Sequence, residues 1–309
     1  MEVAFVAPEE DPQRWLPGLR AALPAARFHV WPEVPDPAAI EVALVAKPPA
    51  GALGAFPKLR LIQSLWMGVD GLLADPTLPR DVPLARLVDP GMVAAMGETV
   101  LARVLDWHRH LYRYRAQQAA RVWQPLPQRL AAERSVGLLG LGELGRHVAQ
   151  RLLQLDFRLC GWSRRPKRID GVECFAGADG LDALLAKSGA LVCLLPLTPE
   201  TRGILDARTL ALLPRGSCVI NVARGAHLVE ADLVAALDAG QLAHAYLDVF
   251  ETEPLPATHP FWSHPGISLT PHIAALTDPR TALPAVIRNL ERLARGEPFE
   301  APVDPDAGY

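Results

Sequence analysis

Reactive side chains follow three of the predicted strands of this 309-residue chain. Arg224 comes just after residues 218–222, Asp248 and Glu253 come at and after the end of the next apolar stretch, and His272 follows a third. Ligands of open α/β sheets bind outside the carboxyl ends of the strands, so we expect these side chains to lie at one edge. The set offers a fixed cation, two carboxylates and an imidazole that titrates near neutrality.

A glycine-rich turn separates the apolar run 136–141 from a helical pattern. Gly140, Gly142 and Gly145 have the spacing of the G-x-G-x-x-G dinucleotide fingerprint, in which glycines allow a tight turn, close approach of a pyrophosphate and close helix packing. The free N–H groups of the helix would face the phosphates. The predicted cofactor contacts at this turn are Gly140, Leu141, Gly142, Glu143, Leu144 and Gly145.

The strand predicted next after the fingerprint, residues 158–162, and the loop that follows it indicate which nucleotide binds. An NAD-type site places a carboxylate about 20 residues after the fingerprint, but none occurs between Phe157 and Ile169. A hydroxyl and several cations follow instead in residues 163–168, and guanidinium groups suit a 2′-phosphate. The loop therefore favours NADPH over NADH, with contacts predicted at Trp162, Ser163, Arg164 and Arg165.

Length and composition predict two domains and a location in the cytoplasm. The chain is longer than a typical single domain, and its 50% hydrophobic content can fill two cores. The formal net charge of −3 argues against a nucleic-acid partner, and we expect neither a membrane segment nor a secretory signal. The four cysteines lack C-x-x-C spacing, which is typical of buried thiols in a reducing compartment.

No metal site is predicted. His108 and His110 invite that interpretation, but residues two apart on a helix point to different faces. We therefore expect both imidazoles to face solvent.

Strands and helices alternate along the chain, which predicts parallel doubly wound sheets. A long helix is expected over residues 92–118, and a last one over 278–295. The mid-chain fingerprint favours a substrate domain of residues 1–98 and 275–309, interrupted by an NADP-binding domain of residues 99–274, with a cleft between them. The predicted strands are 2–7, 27–31, 40–46, 60–65, 83–87, 136–141, 158–162, 190–195, 218–222, 245–249 and 267–270.

Three motifs after the fingerprint carry a resemblance to a known family. N-x-A-R-G, D-V-F-x-x-E-P-L-P and T-P-H-I-A occur in that order, and the whole chain resembles the D-isomer-specific 2-hydroxyacid dehydrogenases. Within that family the chain is most similar to the NADPH-dependent glyoxylate/hydroxypyruvate reductases. The resemblance implies a Rossmann cofactor domain inserted into a smaller flavodoxin-like substrate domain, a homodimer, and reduction of glyoxylate to glycolate and hydroxypyruvate to D-glycerate.

The resemblance also implies roles for the reactive side chains. His272 would be the general acid that protonates the substrate carbonyl oxygen, and Glu253 would hydrogen-bond His272 and stabilise its charged form. Arg224 would bind the 2-oxo acid and polarise its carbonyl. Asp248 would orient the nicotinamide. The further cofactor contacts implied are Leu195, Pro196, Thr201, Val222, Ala223, Asp248 and His272.

A second glycine-containing turn, residues 64–71, follows a predicted strand of the first domain. In the family the matching turn binds the substrate carboxylate through backbone amides, which implies Met67, Gly68 and Val69 as donors. Trp66 and Met67 stand where many relatives carry smaller residues, so the pocket wall is expected to differ. Whether Lys47, Trp66 and Met92 line the pocket stays open.

Two alternatives also stay open. The chain could be another 2-hydroxyacid dehydrogenase of the same fold, such as a phosphoglycerate or D-lactate enzyme. Formate dehydrogenases of this fold carry Gln in place of Glu253, so Glu253 argues against that activity. The second alternative is a nucleotide-sensing corepressor, which binds without turnover.

Overall fold

The computed structural model describes residues 1–305, 307 and 308. The chain divides into two compact units. Unit 1 comprises Met1–Met92 and Leu276–Tyr309, and unit 2 comprises Val93–Ala275. Unit 2 therefore interrupts unit 1 along the sequence.

Unit 1 is built on one parallel sheet. Its strands are β1 (Glu2–Val6), β2 (Arg27–Val30), β3 (Val42–Val45), β4 (Leu61–Ser64) and β5 (Leu84–Ala85). They pair in the order β2-β1-β3-β4-β5, the flavodoxin-like order. Phe5 and Leu44 are buried on one face and Val6 and Val45 on the other, which explains why these strands are apolar throughout. The helices of unit 1 include α1 (Pro12–Ala22), α2 (Asp70–Leu73) and α9 (Pro279–Arg295).

Helix α9 shows how the last part of the chain joins unit 1. It begins after Asp278, whose carboxylate accepts a hydrogen bond from the Arg280 amide at 3.0 Å, and it ends at Gly296 in the left-handed region (φ 68°). The residues of its apolar stripe recur at helical spacing and enter the core of unit 1. The stripe consists of Ala282, Val286, Leu290 and Leu293.

Unit 2 contains a longer parallel sheet. Its strands are β6 (Ser135–Leu139), β7 (Arg158–Ser163), β8 (Val172–Ala176), β9 (Ala190–Cys193), β10 (Ser217–Asn221), β11 (Leu242–Leu247) and β12 (Ile267–Leu269). The helices of residues 90–238 are α3 (Pro90–His108), α4 (Leu111–Ala119), α5 (Glu143–Leu153), α6 (Gly177–Lys187), α7 (Ala207–Leu212) and α8 (Glu230–Asp238).

The strand order of unit 2 is β12-β11-β10-β9-β6-β7-β8. The chain leaves β6 toward β7 and β8, then returns to the other side of β6 at β9, which creates a topological switch point between β6 and β9. Strand β8 was not predicted, because the sequence Val-Glu-Cys-Phe-Ala mixes polar and apolar residues at a sheet edge. The two sheets confirm the predicted pair of parallel α/β domains.

The predicted helix over residues 92–118 is wrong: it is two helices, α3 and α4. His110 lies between them in the left-handed region (φ 60°). The buried carboxylate of Asp106 accepts two hydrogen bonds from the Arg115 guanidinium, at 2.9 and 2.6 Å. Nine residues of continuous helix would separate these side chains by about 13.5 Å along the axis. The break therefore gives a buried acid its partner.

The expectation that His108 and His110 face solvent is also wrong. His108 is buried, with its ring centroid 5.2 Å from that of Phe157, and His110 is half-buried. Burial lowers the pKa of both imidazoles.

Across residues 1–305, 307 and 308, no helix is both long and apolar enough to cross a membrane. The same residues contain no cluster of three or more His, Cys, Asp or Glu side chains that could hold a metal ion.

Candidate active site

The glycine turn between β6 and α5 has the geometry that the fingerprint requires. Gly140 lies in the left-handed region (φ 102°), and a Cβ there would be 2.7 Å from the Leu194 carbonyl oxygen. A Cβ on Gly145 would be 2.0 Å from the Gly140 carbonyl oxygen, so helix and strand pack too closely for a side chain. A Cβ on Gly142 would meet nothing within 4 Å. The space at the start of α5 therefore fits a pyrophosphate on the helix amides.

The segment after β9 lies on the other side of the switch point. Leu195 and Thr201 are buried and Pro196 is half-buried. The Thr201 hydroxyl donates to the Pro196 carbonyl at 2.7 Å and accepts from the Thr198 amide at 2.8 Å. These contacts fix the loop beside the glycine turn.

The loop after β7 carries the predicted cations. Arg164 and Arg165 are exposed, whereas the Ser163 hydroxyl donates within the loop to the Arg165 carbonyl at 2.8 Å. Trp162 donates its indole N–H to the Gly177 carbonyl at 2.7 Å. Lys167, absent from the predicted contacts, donates to the Leu141 carbonyl at 2.9 Å and so connects this loop to the glycine turn. Burial lowers the pKa of the Lys167 ammonium, and nearby Arg146 lowers it further.

Arg224 follows β10 in a turn held by the neighbouring Asn221. The buried Asn221 amide donates to the Arg224 carbonyl at 2.9 Å, and its oxygen accepts from the Ala223 amide at 3.2 Å. Gly225 packs so tightly that a Cβ there would be 1.8 Å from the Phe250 carbonyl carbon. The turn therefore has one backbone path. Val222 and Ala223 are buried beneath it.

The imidazole of His272 and the carboxylate of Glu253 are in direct contact. His272 Nδ1 lies 2.7 Å from Glu253 Oε2, and Glu253 Oε1 accepts from the Phe250 amide at 2.9 Å. The carboxylate is thus fixed by backbone on one oxygen and faces the ring with the other.

Asp248 holds the segment that carries His272. Its buried carboxylate accepts from the Ile273 amide at 3.0 Å and the Ala274 amide at 2.8 Å, and its own carbonyl accepts from the His272 amide at 2.8 Å. His272 has φ 52°, a left-handed conformation that a non-glycine residue rarely adopts. These three hydrogen bonds keep His272 in that conformation. The sequence predicted only a cofactor contact for Asp248.

In unit 1, Trp66, Met67, Gly68 and Val69 form the turn after β4. The Trp66 amide donates to the Ser64 hydroxyl at 3.1 Å, and that hydroxyl donates to the Trp66 carbonyl at 2.8 Å. Among the residues that the structure describes, the amides of Met67, Gly68 and Val69 donate no hydrogen bond, so they fit an anionic group.

Two carboxylates of unit 1 hydrogen-bond Trp66 and Lys47, whose place in the pocket the sequence left open. Glu10 accepts the indole N–H of Trp66 at 2.8 Å. Lys47 donates to Glu9 at 2.6 Å. Met92 lies in the first turns of α3 and is half-buried.

The predictions missed three side chains of unit 2: Asn221, His227 and Lys167. Asn221 is the first residue of the N-x-A-R-G motif, and a polar residue that closes an apolar strand is a signal for a buried hydrogen bond. His227 is fully buried near Arg224. No pattern in the neighbouring sequence predicts that His227 is buried.

Residues 101–274 match the family model described as the NAD-binding domain of the D-isomer-specific 2-hydroxyacid dehydrogenases. The chain is 42% identical to the glyoxylate/hydroxypyruvate reductase A of Yersinia enterocolitica and 44% identical to that of Serratia proteamaculans. Each alignment covers 100% of both chains.

Solved structures agree with these relatives. A D-isomer-specific 2-hydroxyacid dehydrogenase from Xanthobacter autotrophicus in complex with NADPH and MES is 43% identical, with a TM-score of 0.96 over 100% of this chain and 99% of that one. An NADPH-dependent glyoxylate/hydroxypyruvate reductase from Sinorhizobium meliloti in complex with NADP and sulfate is 38% identical, with a TM-score of 0.93 over the same shares.

These matches confirm the family and the enzyme class that the motifs predicted. Full-length identity above 40% to two reductases and a family model over more than half of the residues agree with the strand order and the site. The chain therefore belongs to the D-isomer-specific 2-hydroxyacid dehydrogenase family.

Proposed function

We propose that this protein reduces small 2-oxo acids with NADPH, converting glyoxylate to glycolate and hydroxypyruvate to D-glycerate. The observation that carries the proposal is the order of reactive side chains on three adjacent strands of unit 2. Arg224 follows β10, Glu253 follows β11 and His272 follows β12, with His272 Nδ1 2.7 Å from Glu253 Oε2. Support also comes from the two curated relatives named as glyoxylate/hydroxypyruvate reductases.

Each side chain has a task in this reduction. The bound nicotinamide supplies the hydride that reaches the carbonyl carbon. Glu253 occupies Nδ1 of His272, which leaves Nε2 to give its proton to the carbonyl oxygen. Arg224 binds the substrate carboxylate and stabilises the negative charge that develops on the oxygen. One hydride and one proton thus convert the ketone or aldehyde to an alcohol.

The proposed cofactor is NADPH, held by residues of unit 2. The glycine turn would bind the pyrophosphate, and Arg164 and Arg165 would bind the 2′-phosphate. Asp248, which holds the His272 segment, would also orient the nicotinamide amide. Relatives crystallised with NADPH and NADP support this preference. The remaining proposed contacts are Leu141, Glu143, Leu144, Trp162, Ser163, Leu195, Pro196, Thr201, Val222, Ala223 and His272.

The proposed substrate contacts are Arg224 and the turn of Trp66, Met67, Gly68 and Val69. Met67, Gly68 and Val69 would offer backbone amides for the substrate carboxylate. Residues 1–98 and 275–309 would then form the substrate domain, and residues 99–274 the NADP-binding domain.

We also propose a homodimer in the cytoplasm. In the segment after α4, Val122 is 47%, Trp123 99% and Leu130 74% exposed, which is unusual for apolar side chains. The four cysteines, Cys160, Cys174, Cys193 and Cys218, carry free thiols, as a reducing compartment favours. Cell fractionation would test the compartment, and recovery outside the cytosolic fraction would contradict it.

The function is tested by product analysis with a panel of 2-oxo acids. Purified protein, NADPH and glyoxylate should yield glycolate and NADP in equal amounts, and hydroxypyruvate should yield D-glycerate. Pyruvate and 3-phosphohydroxypyruvate serve as comparison substrates. A clear preference for either would replace the proposed substrate, and NADPH binding without any turnover would favour the corepressor alternative.

A further inference from the structure

His227 is a buried histidine that contacts both the Arg224 turn and the Pro196 loop of the proposed site. It ends the short turn Gly225–His227 directly after Arg224 and is 0% exposed. Its ring Nδ1 lies 3.2 Å from the Arg224 carbonyl oxygen, and its Nε2 lies 3.2 Å from the Pro196 carbonyl oxygen. One imidazole thus joins the backbone of Arg224 to that of Pro196, which lies 31 residues before His227 in sequence.

Both carbonyl groups belong to tightly held segments. The Arg224 carbonyl also accepts from the Asn221 side chain at 2.9 Å, and the Pro196 carbonyl also accepts from the Thr201 hydroxyl at 2.7 Å. The backbone beside the ring is paired as well, since the Leu205 amide donates to the His227 carbonyl at 2.9 Å. The His227 ring therefore adds one contact to each of two carbonyl oxygens that other side chains already hold in place.

The chemistry of the contacts explains why a histidine stands there. A carbonyl oxygen only accepts hydrogen bonds, so each contact needs an N–H on the ring nitrogen that faces it. A neutral imidazole donates to one of the two oxygens, and its protonated form donates to both. An apolar side chain of similar size would donate to neither and would leave buried carbonyl oxygens with fewer partners.

We propose that His227 is a positioning residue that fixes the Arg224 turn relative to the Pro196 loop. Because His227 is fully buried, we assign it no contact with substrate or cofactor. It acts through the Arg224 backbone, which sets where the guanidinium meets the 2-oxo acid beside the loop proposed to hold the cofactor. This proposal rests on the proposed function, because that function gives Arg224 and Pro196 their tasks.

Three substitutions separate the two contacts. His227→Asn places an amide N–H near the position of Nδ1, where it can donate to the Arg224 carbonyl. His227→Gln places one near Nε2, where it can donate to the Pro196 carbonyl. His227→Leu offers no donor. His244→Leu is the matched control, because His244 is also buried in unit 2 and contacts Ser268 Oγ at 2.9 Å.

Steady-state kinetics with glyoxylate and NADPH give the expected result. His227→Leu should lower kcat/KM for glyoxylate about 10- to 100-fold, mainly through KM, because small displacements of a binding group have effects of that size. His227→Asn should recover more of this loss than His227→Gln, since its bond is to Arg224 itself. His244→Leu should lower Tm and leave the KM for glyoxylate unchanged.

Two kinetic outcomes would overturn the proposal. A wild-type KM in His227→Leu would do so, and so would equal KM increases in His227→Leu and His244→Leu, because both describe a merely structural role. Turnover by the wild type is measured first, since its absence with every 2-oxo acid refutes the proposed function alone. Crystal structures of wild type and His227→Leu then test whether His227 fixes the Arg224 turn. A displaced Arg224 carbonyl in the variant supports the proposal, and an unmoved one refutes it.

Discussion

The proposed catalytic side chains are fixed by contacts with residues near the ends of neighbouring strands. Glu253 is anchored by the Phe250 amide before it meets His272, and the Arg224 carbonyl is held by Asn221. Asp248 fixes the backbone after His272 through two amides. At the scale of residues, the site is therefore preorganised by short polar contacts, which is the condition for electrostatic stabilisation of a transition state.

Arg164 and Arg165 are the residues through which cofactor choice can be tested. Replacing both by Ala should raise the KM for NADPH about 10²- to 10⁴-fold, because each charge-assisted hydrogen bond to a phosphate contributes about 1.5–3 kcal/mol and two are lost. The KM for NADH should change little, since NADH lacks the 2′-phosphate. Initial rates with both cofactors at saturating glyoxylate measure the difference.

The control for this pair is Arg208→Ala, which removes an exposed arginine paired with Asp182 elsewhere in unit 2. It should leave both KM values unchanged. An equal rise in KM for NADPH and NADH in the double variant would contradict the 2′-phosphate assignment.

At the scale of elements, β11 carries a titratable group that is buried as neutral imidazole. His244 lies between Tyr112 and Tyr246 in tilted ring contacts, with centroids 4.4 and 4.7 Å away. Burial lowers its pKa from 6.5 to about 4. The unfolded chain binds a proton in that interval and the folded chain does not, so His244 makes the protein less stable as the pH falls from about 6.5 to about 4.

The expected contribution is a loss of about 1.4 kcal/mol in the free energy of unfolding per pH unit within that window. His244→Gln removes the titration and should flatten the pH dependence, although the variant is less stable at pH 7. Urea unfolding at a series of pH values measures both slopes. Identical slopes in the two proteins would show that His244 is not buried as a neutral ring.

The strand ends that carry chemistry were predictable, because apolar runs followed by polar motifs are local patterns. The break at His110 was not, since the apolar spacing continues through it and its cause is the contact of Asp106 with Arg115. The contact of His227 with Pro196 likewise joins residues far apart in sequence. Such tertiary hydrogen bonds leave no periodic signal, and a single sequence cannot reveal them.

At the scale of the whole molecule, the exposed segment around Trp123 predicts the state of association. We expect sedimentation of a homodimer, and Trp123→Ser should shift the protein toward monomer, because truncating a tryptophan hot spot at an interface costs about 2 kcal/mol or more. Leu155→Ser, which changes an exposed apolar residue outside the segment, should sediment like wild type. A monomeric wild type at micromolar concentration would contradict the proposal.

The proposed reaction depends on the proton that His272 is proposed to deliver to the substrate carbonyl oxygen. The most direct measurement is kcat for glyoxylate reduction by His272→Ala beside wild type, followed by NADPH absorbance at saturating substrate, with NADPH affinity checked by fluorescence. Loss of the general acid should lower kcat about 10²- to 10⁴-fold while NADPH still binds. A kcat near that of wild type would contradict the account, because another group would then supply the proton.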